Sequence, residues 1–121
     1  MVNCITLWGN RRLIPRGPLR ESLIALRRAD IIVLHHTDLI SKEKHQSIIT
    51  MLECVLEEEI PISSSRMVPC YFFRLQFQPS MIPLNIVHNM VVLCVSGIGC
   101  PESLLLAIQK SLRLQIFAFI V

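Results

Sequence analysis

The chain has 121 residues, of which 52% are hydrophobic, with a mean hydropathy of +0.53 and a formal net charge of +3. Its length suits one domain with little reserve of core. No run of about 18 apolar residues occurs, so a membrane-spanning helix does not account for the hydropathy. The longest apolar stretch, Ile116 to Val121, is far too short to cross a bilayer. The excess is spread over short runs, as in parallel strands buried on both faces or in a piece separated from its partner segments. Five cysteines with no CxxC pair fit neither a zinc site nor a disulfide framework and point to a reducing compartment.

Val2 to Trp8 predicts a short strand closed by the turn signal Gly9-Asn10. No secretory leader is visible, because Met1 to Leu7 is short and lacks a basic start. Pro15, Gly17 and Pro18 interrupt any amphipathic transit helix. Arg11 to Gly17 reads as a basic loop. Pro18 suits the first turn of a helix, and Leu19, Leu23, Leu26 and Ala29 carry helical spacing to about Asp30. Six arginines lie between Arg11 and Arg28 against the single acid Glu21. Such a stretch suits phosphate or an anionic lipid surface, and equally a solvated helix face.

Ile31 to Leu34 predicts a strand, which completes a strand–helix–strand unit of an α/β fold. The polar loop His35-His36-Thr37-Asp38 follows. Ser41 is placed to cap a helix whose stripe is Ile48, Ile49, Leu52, Val55 and Leu56, reaching Glu59. Pro61 to Pro69 reads as a loop, Cys70 to Phe77 as a strand, and Pro79 to Pro83 as a loop. His88 to Val95 reads as a buried strand, Pro101 to about Leu112 as a helix, and Gln115 to Val121 as a last strand. Cys4 and Cys94, within apolar runs, read as small core residues.

The segment from Trp8 to Ser22, W-G-N-R-R-L-I-P-R-G-P-L-R-E-S, carries the most chemistry. A loop at the carboxyl end of a parallel strand is where α/β proteins bind ligands. A helix starting at Pro18 would turn free N–H groups toward a phosphate, with Arg20 adding a bidentate contact. Other constellations are weaker. His35 and His36 are adjacent on an extended chain and point to opposite sides, so no metal site is expected there. Gly97-Ile98-Gly99 lacks the third glycine of a dinucleotide fingerprint, Glu102 standing in its place. Cys100 reads as structural. No nucleic-acid module accompanies the arginines, and nucleic acid is not an expected partner.

This segment resembles the tetraacyldisaccharide 4'-kinase family, whose members carry a G-N-G…L-P-x-G-P-L-R-E-P block. Leu26-Arg27-Arg28-Ala29-Asp30 with the strand after it, and His35 to Ser41, are similar to the family's continuation in its plant-type branch. Val95 to Glu102 resembles its G-I-G-N-P-E turn. Within this likeness Arg11 stands for the second glycine of G-N-G, Ser22 for the proline of L-R-E-P, and Cys100 for the asparagine of G-I-G-N-P. The resemblance implies an α/β fold with a partial three-layer, mostly parallel sheet of P-loop NTPase type. Residues 1–121 would be a single incomplete domain, the central portion of such a kinase.

It implies a family reaction in which ATP with Mg²⁺ phosphorylates the 4'-hydroxyl of a tetraacyl disaccharide 1-phosphate in lipid A biosynthesis. Neither G-x-x-x-x-G-K-[ST] nor D-D-G-x-Q-H occurs in these residues, so the chain alone is expected to be inactive and no residue is assigned as catalytic or metal-binding. By family, Asn10, Gly17, Pro18, Arg20 and Glu21 line a substrate or phosphate cleft. The partners implied are ATP and the lipid disaccharide, with peripheral association with a mitochondrial membrane. The alternatives are a non-catalytic fragment that pairs with a full-length kinase or another protein, and a degraded gene product.

Overall fold

The computed structural model describes residues 1–56, 60–74 and 80–112 and the backbone of residues 115–120. The chain is mixed α/β and divides into two compact units, Met1–Arg66 and Met67–Val121.

The first unit is a three-stranded parallel sheet in the order β1 (Val2–Asn3), β2 (Ile32–His35), β3 (Ile62–Ser65). The register sets Val2 beside Leu34, Ile32 beside Ile62 and His35 beside Ser65. Helix α1 (Lys42–Val55) connects β2 to β3. The Ser41 side chain accepts a hydrogen bond from the Lys44 N–H, satisfying one donor of the first turn. Ile48 and Leu52, one turn apart, bury against the sheet with Val2, Cys4, Trp8, Ile32 and Leu34. Leu34 and Leu52 are fully buried, each contributing roughly 1.5–3 kcal/mol by removal from water. Arg27 Nε donates to the Val55 carbonyl at 2.9 Å, satisfying an orphan acceptor at the end of α1.

Three expectations in this unit are corrected. The first strand stops at Asn3 rather than Trp8, because the Asn3 side chain captures the Ile5 N–H at 2.9 Å and its carbonyl captures that of Leu7 at 2.8 Å. That local bonding competes with the sheet ladder. The predicted helix from Pro18 to Asp30 is only a 3₁₀ turn, Leu23–Arg28. The backbone of Leu19 is already committed, its N–H to Arg12 and its carbonyl to Ile14, so no helix begins at Pro18. Residues 62–65, predicted as loop, form β3. Its serines lack strand propensity, and pairing along the whole of β2 overrides it.

In the second unit, β4 (Tyr71–Phe73) pairs antiparallel with β5 (Met81–Pro83), a strand within the predicted Pro79–Pro83 loop. A 3₁₀ turn, Leu84–Val87, leads to β6 (Val91–Ser96). From there α2 (Pro101–Leu112) crosses to β7 (Gln115–Ile120), which pairs parallel with β6. The predicted strand from His88 thus starts at Val91, because His88 and Met90 donate to Asn85 and Val87 in turns. Expected buried, it alternates, with Val91, Leu93 and Val95 exposed. Glu59, Phe77, Pro79 and Val121, the outer limits of four expected elements, lie outside the described residues. Among the described residues no helix is long and apolar enough to cross a membrane.

Candidate functional site

In a parallel sheet all strands end at one edge, and open α/β folds present their ligand sites there. In the first unit that edge carries the long loop after β1, the loop from β2 into α1, and the end of β3.

The first loop is built around Asn10. Its amide Nδ2 donates to the Arg16 carbonyl at 2.8 Å, and its Oδ1 accepts from the Arg12 N–H at 3.1 Å. The chain between is folded on itself by Arg16 and Gly17 N–H donating to Leu13, and by the Leu13–Leu19 bridge. Gly17 is required by space, since a Cβ would overlap Asn10 Oδ1 and the Arg12 carbonyl. Gly9 has φ 55°, and a Cβ there would stand 2.7 Å from Pro18 Cγ. Asn10, Gly17 and Pro18, the first three residues expected at the cleft, are thus brought together as the internal frame of the loop.

Arg20 and Glu21 lie on the exposed stretch that leaves this frame. Glu21 Oε2 accepts from Arg28 Nη2 at 2.6 Å. Both side chains are more than half exposed, so the pair adds little stability. Arg20 makes no hydrogen bond or ion pair among the described residues, which leaves its guanidinium available to an anion. Arg11, at φ 60°, reaches over α1 to Met51 Sδ at 3.5 Å. Lys44 Nζ donates to the Ile5 carbonyl at 3.3 Å, tying the first turn of α1 to the same loop.

A second concavity at this edge is a cleft of about 270 Å³ lined by Thr37, Asp38, Ile40, Ser41, Lys42, His45 and Ser64. Beneath it, His35 Nδ1 and Ser65 Oγ stand 2.9 Å apart, and Thr37 Oγ1 donates to the Ser65 carbonyl at 3.4 Å. His45 Nε2 is 3.5 Å from Ser64 Oγ. His36 adopts the left-handed conformation, φ 63°, and is 3% exposed. Burial lowers its pKa, as does the neighbouring His35, while Asp38 opposes the shift. Buried Nδ1 of His36 finds no partner among the described residues. The cleft's contributors from α1 and β3 were missed in the sequence, Ser64 because β3 was read as loop. His45, one turn after the Ser41 cap, is a residue whose position could have pointed there.

Among the described residues no three His, Cys, Asp or Glu side chains stand together as metal ligands would.

A profile of the tetraacyldisaccharide-1-P 4'-kinase family matches residues 1–118. An Arabidopsis thaliana protein named "Probable tetraacyldisaccharide 4'-kinase, mitochondrial" is 42% identical over 111 residues, covering 92% of this chain and 28% of the relative. The protein named tetraacyldisaccharide 4'-kinase in Halothermothrix orenii is 33% identical over 111 residues, covering 85% of this chain and 29% of the relative. The chain therefore spans under a third of the length of these relatives. No solved structure matches it.

Proposed function

The chain belongs to the tetraacyldisaccharide-1-P 4'-kinase family, and from that premise we propose that it supplies the substrate-facing loops for phosphorylation of the 4'-hydroxyl of a tetraacyl disaccharide 1-phosphate. Residues 1–121 are the central portion of one incomplete domain of P-loop NTPase type, with the layered, mostly parallel sheet of that class. The observation that carries the reading is the framed loop at the carboxyl edge of the sheet. Asn10, Gly17 and Pro18 hold its shape, and the exposed stretch that leaves it carries Arg20 and Glu21.

In this reading Arg20 orients an anionic group of the substrate through charge-assisted hydrogen bonds. Glu21 lies beside it and is paired with Arg28. Phosphoryl transfer also needs a cradle for the ATP phosphates, and these 121 residues contain no G-x-x-x-x-G-K-[ST]. The chain alone is then a binding element without turnover, ATP being the donor in the longer family members. The site of action is the mitochondrion, in keeping with the name of the Arabidopsis relative, and a membrane surface there suits a lipid substrate.

The test is titration of the purified chain with tetraacyldisaccharide 1-phosphate in neutral detergent micelles. Binding should weaken roughly tenfold or more in Arg20→Ala, the loss expected for a hydrogen bond to a charged group. Equal affinity of the two proteins would sink the role of Arg20, and 4'-phosphorylation by the chain alone with ATP and Mg²⁺ would refute the absence of turnover.

A second reading is favoured by the exposed Val91, Leu93 and Val95 of β6. Such a strand face is ordinarily covered in a parallel sheet, and a longer kinase chain is the occupant that would cover it. A chain that stays monomeric and fails to pair with the full-length relative would remove that reading.

A further inference from the structure

The loop Arg11–Arg16 presents two kinds of side chain together. Arg11, Arg12 and Arg16 are exposed, and between them Leu13 is 47% and Ile14 61% exposed. A shallow groove of about 430 Å³ runs along Arg12, Leu13, Ile14, Pro15 and Arg16. Isolated exposed leucines are ordinary. Here the apolar pair sits at the tip of a loop framed from within by Asn10 and Gly17, so it does not fold back onto the core. No acid occurs from Met1 to Arg20, and the first one, Glu21, is already paired with Arg28.

We infer that this loop is a docking surface for an anionic lipid bilayer, with Arg12 and Arg16 at the headgroups and Leu13 and Ile14 entering the boundary with the acyl chains. Interfacial surfaces combine apolar side chains with flanking cations, and a negative leaflet attracts each nearby arginine. A soluble anion or a nucleic acid would use the cations but gain nothing from Leu13 and Ile14. The loop also has no aromatic ring on which a base could stack. The surface deepens the reading of a lipid-directed chain and takes its biological sense from it. The assay contains neither ATP nor disaccharide, so a failure here leaves the substrate reading standing, and the reverse holds too.

The experiment is co-sedimentation of the full chain with phosphatidylcholine vesicles and with phosphatidylcholine–phosphatidylglycerol vesicles. The chain should bind the mixed vesicles, release at high salt as screening removes the attraction, and bind neutral vesicles far more weakly. Arg12→Glu with Arg16→Glu should weaken binding by at least about 25-fold, at roughly fivefold per arginine removed. Arg66→Glu with Arg74→Glu, the same change in net charge elsewhere, should cost much less. Leu13→Ser with Ile14→Ser should weaken binding about tenfold through lost apolar burial. All four loop positions are exposed, and the wild-type comparison of the two vesicles needs no variant. Equal binding to both vesicles overturns the proposal, as does equal loss in the two charge-reversal pairs. Unchanged binding of the serine pair overturns it as well.

Discussion

Gly17→Ala tests the framed loop on which the functional reading stands. The new methyl would overlap Asn10 Oδ1 and the Arg12 carbonyl. The first is a side chain that can rotate away, but the second is backbone, so the turn itself must open. Opening releases six hydrogen bonds: Asn10 with Arg16 and with Arg12, Arg16 and Gly17 with Leu13, and the two that Leu19 makes with Arg12 and Ile14. The loop is exposed and water replaces each lost partner, so the low end of the net range applies, about 0.5 kcal/mol per bond. The predicted loss is therefore roughly 3 kcal/mol, offset by whatever part of the loop closes again. Urea unfolding measures the loss, and hydrogen exchange at Arg12, Arg16, Gly17 and Leu19 reports where it falls. A Gly17→Ala chain within about 0.5 kcal/mol of wild type, with those amides still protected, would refute the reasoning. Gly99→Ala provides the contrast, because a Cβ there meets nothing within 4 Å.

Other predictions follow from the core and from burial. Leu52→Ala should cost roughly 2–5 kcal/mol in urea unfolding, as for other fully buried leucines. Leu93→Ala, at a position 60% exposed, should change stability by less than about 0.5 kcal/mol. His36 is held neutral, its pKa lying below the ordinary 6.5. The unfolded chain then takes up the proton first, so this contribution is fully present above 6.5 and is lost as pH falls below it. His36→Asn, which tolerates the left-handed backbone, should flatten that part of the stability-versus-pH curve, and an unchanged curve would remove His36 as its source. Thiol labelling should reach exposed Cys54 and Cys70 first. Cys4, fully buried and with its pKa raised by burial, should react only on unfolding.

What the sequence disclosed was whatever a single residue or period decides locally. The Ser41 cap, the Ile48–Leu52 stripe and the β-branched run of β2 each carry their own signal, and each stands where expected. What it hid depends on neighbours distant in the chain. Three serines become β3 only because β2 offers an edge, and Leu19 leaves its helix only because Arg12 and Ile14 claim its backbone. At the candidate site, proximity of Asn10 and Gly17 to Arg20 was legible as one motif. The same motif concealed a division of labour, in which Asn10, Gly17 and Pro18 shape the loop and Arg20 faces outward. The cleft between Asp38, His45 and Ser64 was not legible, since it joins three elements, one of them unrecognised.

The most direct test of the central claim is transplantation. The matching 111-residue segment of the Arabidopsis relative is exchanged for this chain's, and 4'-phosphate transfer from ATP to tetraacyldisaccharide 1-phosphate is measured. The account predicts a chimera that retains transfer and loses most of it on Arg20→Ala. A folded, ATP-binding chimera without transfer, or one indifferent to Arg20→Ala, would contradict the claim that this segment serves the family's reaction through its carboxyl-edge loop.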